Sequence, residues 1–187
     1  PEAGDDRRIQ RVLELKSKVA DLDFAATASR LGGRLVDDQL EFLCLGRRFS
    51  IDRAGELHSE LHINSWIHMP LLTYVTTGRG VDPVGRWVRF SELKNTKDWV
   101  RFFEHRCENA LKEIADEHFA VFIDMLDIFG GQEVEQDELG AANFEGVARR
   151  IVPIPKVPVL VRYWEEGEGF GSELRVLFDS TADQNLD

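Results

Sequence analysis

An α+β fold is what the sequence predicts: a mainly antiparallel sheet made from an N-terminal meander and a C-terminal hairpin, with helices packed on one face. Three observations carry this. Short apolar runs at residues 34–60 follow one another too closely for the long crossovers that parallel strands need. The middle of the chain has helical spacing, ending in broad apolar stripes. Near the C-terminus, two strand-like runs flank the glycine-rich stretch EEGEGFGSE.

From the N-terminus, Asp5 or Asp6 is a candidate cap for a first helix, whose apolar positions Ile9, Val12, Leu13 and Val19, with Lys16, follow helical spacing. Asp23 caps a second, shorter helix that Gly32 and Gly33 stop. In the meander, Leu40, Phe42 and Cys44 share one face of a strand, a turn falls at Gly46 and Arg47, RRFSID is the next strand, and AGELHSE a short third. NSWIHMPLLTYVTTGRG reads as a helix with Pro70 in its first turn or at a kink. Thr96 caps a long helix whose Trp99, Phe102, Phe103, Cys107, Ala110, Leu111 and Ile114 form a broad apolar face. HFAVFIDMLDIFGG is a further helix, and QEVEQDELGAAN an exposed connection. Prolines 153, 155 and 158 make an extended entry to a strand from Val159 to Trp164, and ELRVLFD pairs with it across the tip. The closing STADQNLD reads as the start of a capped helix, cut off or disordered, and residues 1–4 as flexible. With no internal repeat and no low-complexity linker, residues 1–187 read as one domain.

The apolar fraction of 43% fits a folded globule. A net charge of −11, with no basic run to offset it, disfavours nucleic acid and anionic membrane surfaces. No apolar run is long enough to span a membrane, and the N-terminal residues lack the apolar segment of a signal peptide. Two cysteines cannot by themselves hold a zinc ion or an iron–sulfur cluster; Cys44 and Cys107 read as buried thiols of a cytoplasmic protein.

Candidate chemistry concentrates at two places. Glu165, Glu166, Glu168 and Asp179 could converge near the hairpin, as an acid/base pair or as oxygen ligands to a hard cation. The simpler reading is that they are solvated charges on a glycine turn. His58 and His62 stand four apart around Glu60, a weak candidate metal pair whose order is not that of a zinc-protease helix. His105 and Cys107 stand too close in one helix to face each other, and GRGVDPVG lacks the Lys-Ser/Thr of a phosphate loop.

The stretch from Trp164 to Asp179 resembles the C-terminal signature of a family of anaerobic bacteria and archaea, domain of unknown function 3786. That signature is approximately W-E-G-D-E-E-F-P-P, a spacer, then L-F-D. Trp164, Glu165, Glu168, Phe170, Leu177, Phe178 and Asp179 fit it. Pro155 and Pro158 match a P-x-x-P entry, Gly85 to Leu93 match G-x-W-x-x-F-x-E-L, and Phe103 to Arg106 match F-x-x-R. Glu166, Gly167, Gly169, Gly171 and Ser172 depart from the signature's core, which loses its aspartate, its second glutamate and both prolines. The resemblance implies an accessory role beside iron–sulfur or corrinoid proteins of anaerobic one-carbon metabolism, and it names no activity, cofactor or oligomeric state.

Three functions follow as expectations. The first is a non-catalytic accessory or small-ligand-binding protein of anaerobic metabolism, its site beside the tip and formed from Trp87, Glu92, Trp164, Glu165, Glu168, Phe170 and Asp179. The second is an interaction module docking a partner enzyme through exposed aromatic side chains. The third is a carboxylate-based hydrolase or metal-dependent enzyme using Glu165, Glu168 and Asp179. The loop itself reads as a β-hairpin tip built by glycine turns and held by Phe170 and Trp164 folding back on the core.

Overall fold

Nineteen residues, Glu2–Ala20, form helix α1, so Asp5 and Asp6 lie inside it rather than before it. The computed structural model describes residues 2–60, 65–134, 146–167 and 169–186. The buried face of α1 is Leu15 and Val19, whereas Ile9 and Leu13 are exposed. Helix α2 (Phe24–Leu31) is capped as its sequence demands: Asp23 accepts from the Ala26 N–H, and Gly32 closes the helix in the left-handed conformation.

Strands β1 (Arg34–Val36), β2 (Gln39–Cys44), β3 (Arg47–Ile51) and β4 (Leu57–Ser59) make an antiparallel meander in sequence order. Leu40, Phe42 and Cys44 point together into the core, opposite Ile51 and Phe49. The β2–β3 turn is Leu45–Gly46, one residue earlier than the sequence suggests, because Cys44 pairs with Arg47 and both turn residues take positive φ. Helix α3 (Ser65–Thr77) keeps Pro70 in its interior. Its Tyr74 is fully buried, and the hydroxyl lies 2.7 Å from the Leu31 carbonyl and 2.6 Å from that of Pro155.

The remaining strands form a second sheet, in the order β5 (Trp87–Arg89), β9 (Glu173–Asp179), β8 (Val157–Trp164), β7 (Val147–Ile154), β6 (Gln132–Glu133). The α+β class therefore holds, with the meander and the hairpin in separate antiparallel sheets. The proline-rich entry is itself strand β7: Pro153 stands inside it, Pro155 and Lys156 make the turn, and Pro158 is the second residue of β8. One face of the second sheet carries Val161, Tyr163, Leu174, Val176 and Phe178, and on it pack α4 (Val100–Phe103), α5 (Asn109–Glu117) and α6 (Phe119–Ile128). Phe90 and Phe103 stack at 4.4 Å and both meet Phe178, while Phe119 and Phe122 meet Tyr163.

A five-residue π-helical segment, Glu104–Glu108, joins α4 to α5. It shifts the helix register, so the single apolar face expected from residue 99 to 114 is split. Trp99 and Phe102 are 60% and 57% exposed, and the buried positions are Glu108 and Ala115. Thr96 does not cap with its side chain; its hydroxyl turns back to the Phe90 and Leu93 carbonyls.

The chain divides into two compact units. One comprises residues 1–82, 154–156 and 184–187; the other comprises 83–153 and 157–183. The C-terminal STADQNLD is not disordered where it is described: Ala182–Asn185 form helix α7, and Asn185 is fully buried. In the first unit the Asn185 side-chain amide donates to the Val81 and Lys156 carbonyls and accepts from the Val81 N–H.

Candidate functional site

The residues nominated from the sequence fall at two ends of the β8–β9 hairpin. Antiparallel register puts Trp164 opposite Glu173 at the tip end, and Trp87 opposite Asp179 at the other. Glu173 and Asp179 are the two ends of the seven-residue β9, roughly 20 Å apart along extended chain. Asp179 thus does not meet Glu165, and the converging carboxylates expected of a hydrolase are not assembled.

Asp179 is instead a structural acceptor with no solvent exposure. Its Oδ2 accepts from the Val84 and Gly85 N–H groups at 3.0 and 2.7 Å, and its Oδ1 from the N–H and hydroxyl of Thr181 at 3.0 and 2.7 Å. Burial pushes its carboxyl up, but the Thr181, Gly85 and Val84 donors outweigh that and hold it below the ordinary aspartate value. The spaced glycines of GRGVDPVG thus serve a loop tied to a carboxylate. Trp87 packs with Leu177 on Val134, Ala148 and Leu160. Glu92 accepts from the Arg89 N–H at 2.7 Å, closing a 3₁₀ turn.

At the tip end, Glu165 and Glu166 are exposed. Gly167 and Phe170 exchange backbone hydrogen bonds at 3.0 and 3.1 Å around a turn in which Gly169 has φ +85°. Phe170 does not fold back on the core: it is 80% exposed. Trp164, half-buried, ends β8 and lies on the same sheet face as Arg162, Arg175 and Glu173. Glu168 and His62 lie outside the described residues. His58 binds Asp52 at 2.9 Å, and no group of three or more metal-ligating side chains occurs among the described residues.

Neither thiol is activated. Burial raises Cys44 to about 12, and burial with the neighbouring Glu108 charge raises Cys107 to about 11. Glu108 has its own structural task. Where β5 ends at Arg89, opposite Leu177, the next N–H of β9 has no strand partner on that side. Glu108 accepts from that Val176 N–H at 2.9 Å and pairs with Arg175 at 3.3 Å.

Exposed apolar side chains include aliphatic ones, such as Leu43, Val84, Val121 and Ile128, and an aromatic pair. Trp99 and Phe102 meet edge to face at 6.0 Å, and the Arg106 guanidinium lies over the Phe102 ring at 5.8 Å. Lys97, Asp98, Arg101, Glu104 and Arg106 in the same segment are all exposed, so charges of both signs surround the pair. The sequence places Trp99 and Phe102 on the apolar face packed on the sheet; in the fold both are exposed, Trp99 in a 3₁₀ turn and Phe102 in α4, ahead of the π-helical segment.

A model of the family "Domain of unknown function (DUF3786)" matches residues 23–187. The chain belongs to this family. No curated protein and no solved structure matches it. The DUF3786 match takes in both ends of the hairpin and the aromatic corner, and it begins beyond α1.

Proposed function

We propose that this DUF3786 protein is a cytoplasmic, non-catalytic accessory protein of anaerobic metabolism that works by docking a partner protein. The observation that carries the reading is the exposed Trp99–Phe102 pair with Arg106 over it. Exposed aromatic side chains flanked by arginine have the composition of interface hot spots. The alternatives have less support. The small-ligand reading loses its compact site, because its residues fall at two ends of a strand, and a carboxylate enzyme loses Asp179 to four backbone and hydroxyl donors. The accessory role in anaerobes is what the family resemblance implies.

The test is site-specific crosslinking in the native host. A benzoyl-phenylalanine placed at Trp99 should give one adduct of discrete mass, reduced by Arg106→Glu. The same group at exposed Glu113 should give none. Equal, diffuse labelling from both positions would count against the docking reading.

A further inference from the structure

The first unit is completed by residues that reach it from far along the chain. Its residues 154–156 hold the turn between β7 and β8, and its residues 184–187 begin in α7, beyond β9. Both meet residues 78–82, a loop that is neither helix nor strand. There Asn185 behaves as a strand edge would. Its Oδ1 accepts from the Val81 N–H at 3.0 Å, and its Nδ2 donates to the Val81 carbonyl at 2.9 Å and the Lys156 carbonyl at 3.1 Å. The Lys156 ammonium donates to the Gly80 carbonyl at 2.9 Å and pairs with Asp82 at 3.0 Å, and the Gln184 carbonyl accepts from the Arg79 N–H at 3.4 Å. Asn185 has no solvent exposure, and Lys156 sits at φ +60°, a conformation that a lysine holds only where its surroundings fix it. The second unit is made differently: apart from Ile154, it contains every residue of β5 to β9 and of α4 to α6.

We propose that this connectivity sets an order: the second sheet forms on its own contacts, and the first unit closes only when β7, β8 and β9 have delivered residues 154–156 and 184–185 to it, with Asn185 as the clasp. A buried donor or acceptor left without its partner is costly. The backbone groups of residues 79–81 that Asn185, Lys156 and Gln184 satisfy therefore return to water when the clasp is lost, and the unit opens with them. Chains open in cooperative blocks, and here the dependence runs one way. Loss of the clasp opens the first unit and leaves the second sheet closed. Loosening the second sheet withdraws both delivered segments and opens both units. The clasp makes the closed first unit a report on whether the second is folded.

Amide exchange of the full chain, followed residue by residue in sub-denaturing urea, tests this. Asn185→Ala removes the three bonds of a buried side chain. It should speed exchange of the α2 and α3 amides by at least about tenfold and leave those of β8 and β9 within about twofold of wild type. Lys156→Met removes only the bond to Gly80 and the ion pair with Asp82. It should act in the same direction to a smaller extent, and it carries the test if the alanine chain does not fold. Val161→Ala, at a buried position of β8, should speed exchange in both units. In refolding with pulsed labelling, the β8 and β9 amides should be protected before those of α2 and α3. Exchange raised only at residues 79–81 would make Asn185 a local tie and overturn the clasp. Equal acceleration of both units by Asn185→Ala, a first unit that stays closed in Val161→Ala, or α2 and α3 protected before or together with β8 and β9 would each overturn the order.

Discussion

At the scale of single residues, Asp179 shows how a carboxylate can look like chemistry in the sequence and be structure in the fold. Four donors converge on it in a position with no solvent exposure. Removing the acceptor strands backbone N–H groups, each costing about 1–3 kcal/mol when buried. Asp179→Ala should therefore lower unfolding stability by about 3–5 kcal/mol in urea titration. Asp179→Asn should cost nearly as much, because its amide turns donors toward donors. The pH dependence has a fixed sign. Asp179's carboxyl is depressed on folding, so its contribution is complete above the unfolded value of about 3.9 and is lost as pH falls through the lower folded value. Asp116 acts in the same sense: the Lys112 bond lowers it and burial raises it, with the Ser172 and Tyr163 bonds adding to the lowering. Acid denaturation of wild type should thus be steep below pH about 4, and Asp179→Asn should flatten that limb. An unchanged acid limb would mean that the carboxylate contributes nothing to it. The thiols give a second residue-scale expectation. Cys44, buried and raised to about 12, should react with a disulfide reagent at the rate of unfolding, measured by thiol release against denaturant.

Individual elements carry their own signatures of strain and repair. Leu45 sits at φ +51° before Gly46 in the β2–β3 turn, a place where asparagine is favoured and a branched apolar side chain is not. Leu45→Asn should stabilise the chain by about 1 kcal/mol, read as a rise in the urea midpoint at constant slope. The π-helical Glu108 repairs the sheet beyond the end of β5, so Glu108→Ala should cost about 1–3 kcal/mol. It should also speed amide exchange at Val176; an exchange rate left as in wild type would show that the carboxylate is dispensable there. The same elements mark what a sequence can and cannot reveal. Asp23 and Gly32 bracket α2 because capping is local chemistry, and Leu40, Phe42 and Cys44 alternate inward because strand period is local too. The π-helical segment is not local. Its Glu108 meets the Val176 N–H of a strand nearly seventy residues away, and no spacing within residues 99–114 announces that contact or the exposure of Trp99 and Phe102. The separation of Asp179 from the glutamates was hidden for a different reason: a shared hairpin suggests proximity, but strand length sets distance.

On the scale of the whole chain, the family match and the folded architecture part company at one end. The DUF3786 match starts at residue 23, after α1 is complete, yet α1 is built into the first unit. Leu15 and Val19 have no solvent exposure, and Lys16 pairs with Glu56 at 2.6 Å. The turn between β3 and β4 approaches α1 so closely that a Cβ at Gly55 would lie 2.9 Å from the Lys16 Cα, on a residue already at φ +73°. Burial of those two apolar side chains alone corresponds to about 3–6 kcal/mol, a large share of the stability of a small unit. Deleting residues 1–20 should therefore lower the melting temperature markedly and open the α3 amides to exchange. Gly55→Ala in the full chain should reproduce part of the loss, by pushing turn and helix apart without removing either. A truncated chain that melts with the full-length protein would make α1 an appendage on an independent family domain. If only the Gly55→Ala chain retained its melting temperature, α1 would still be needed, but without the close fit to the turn.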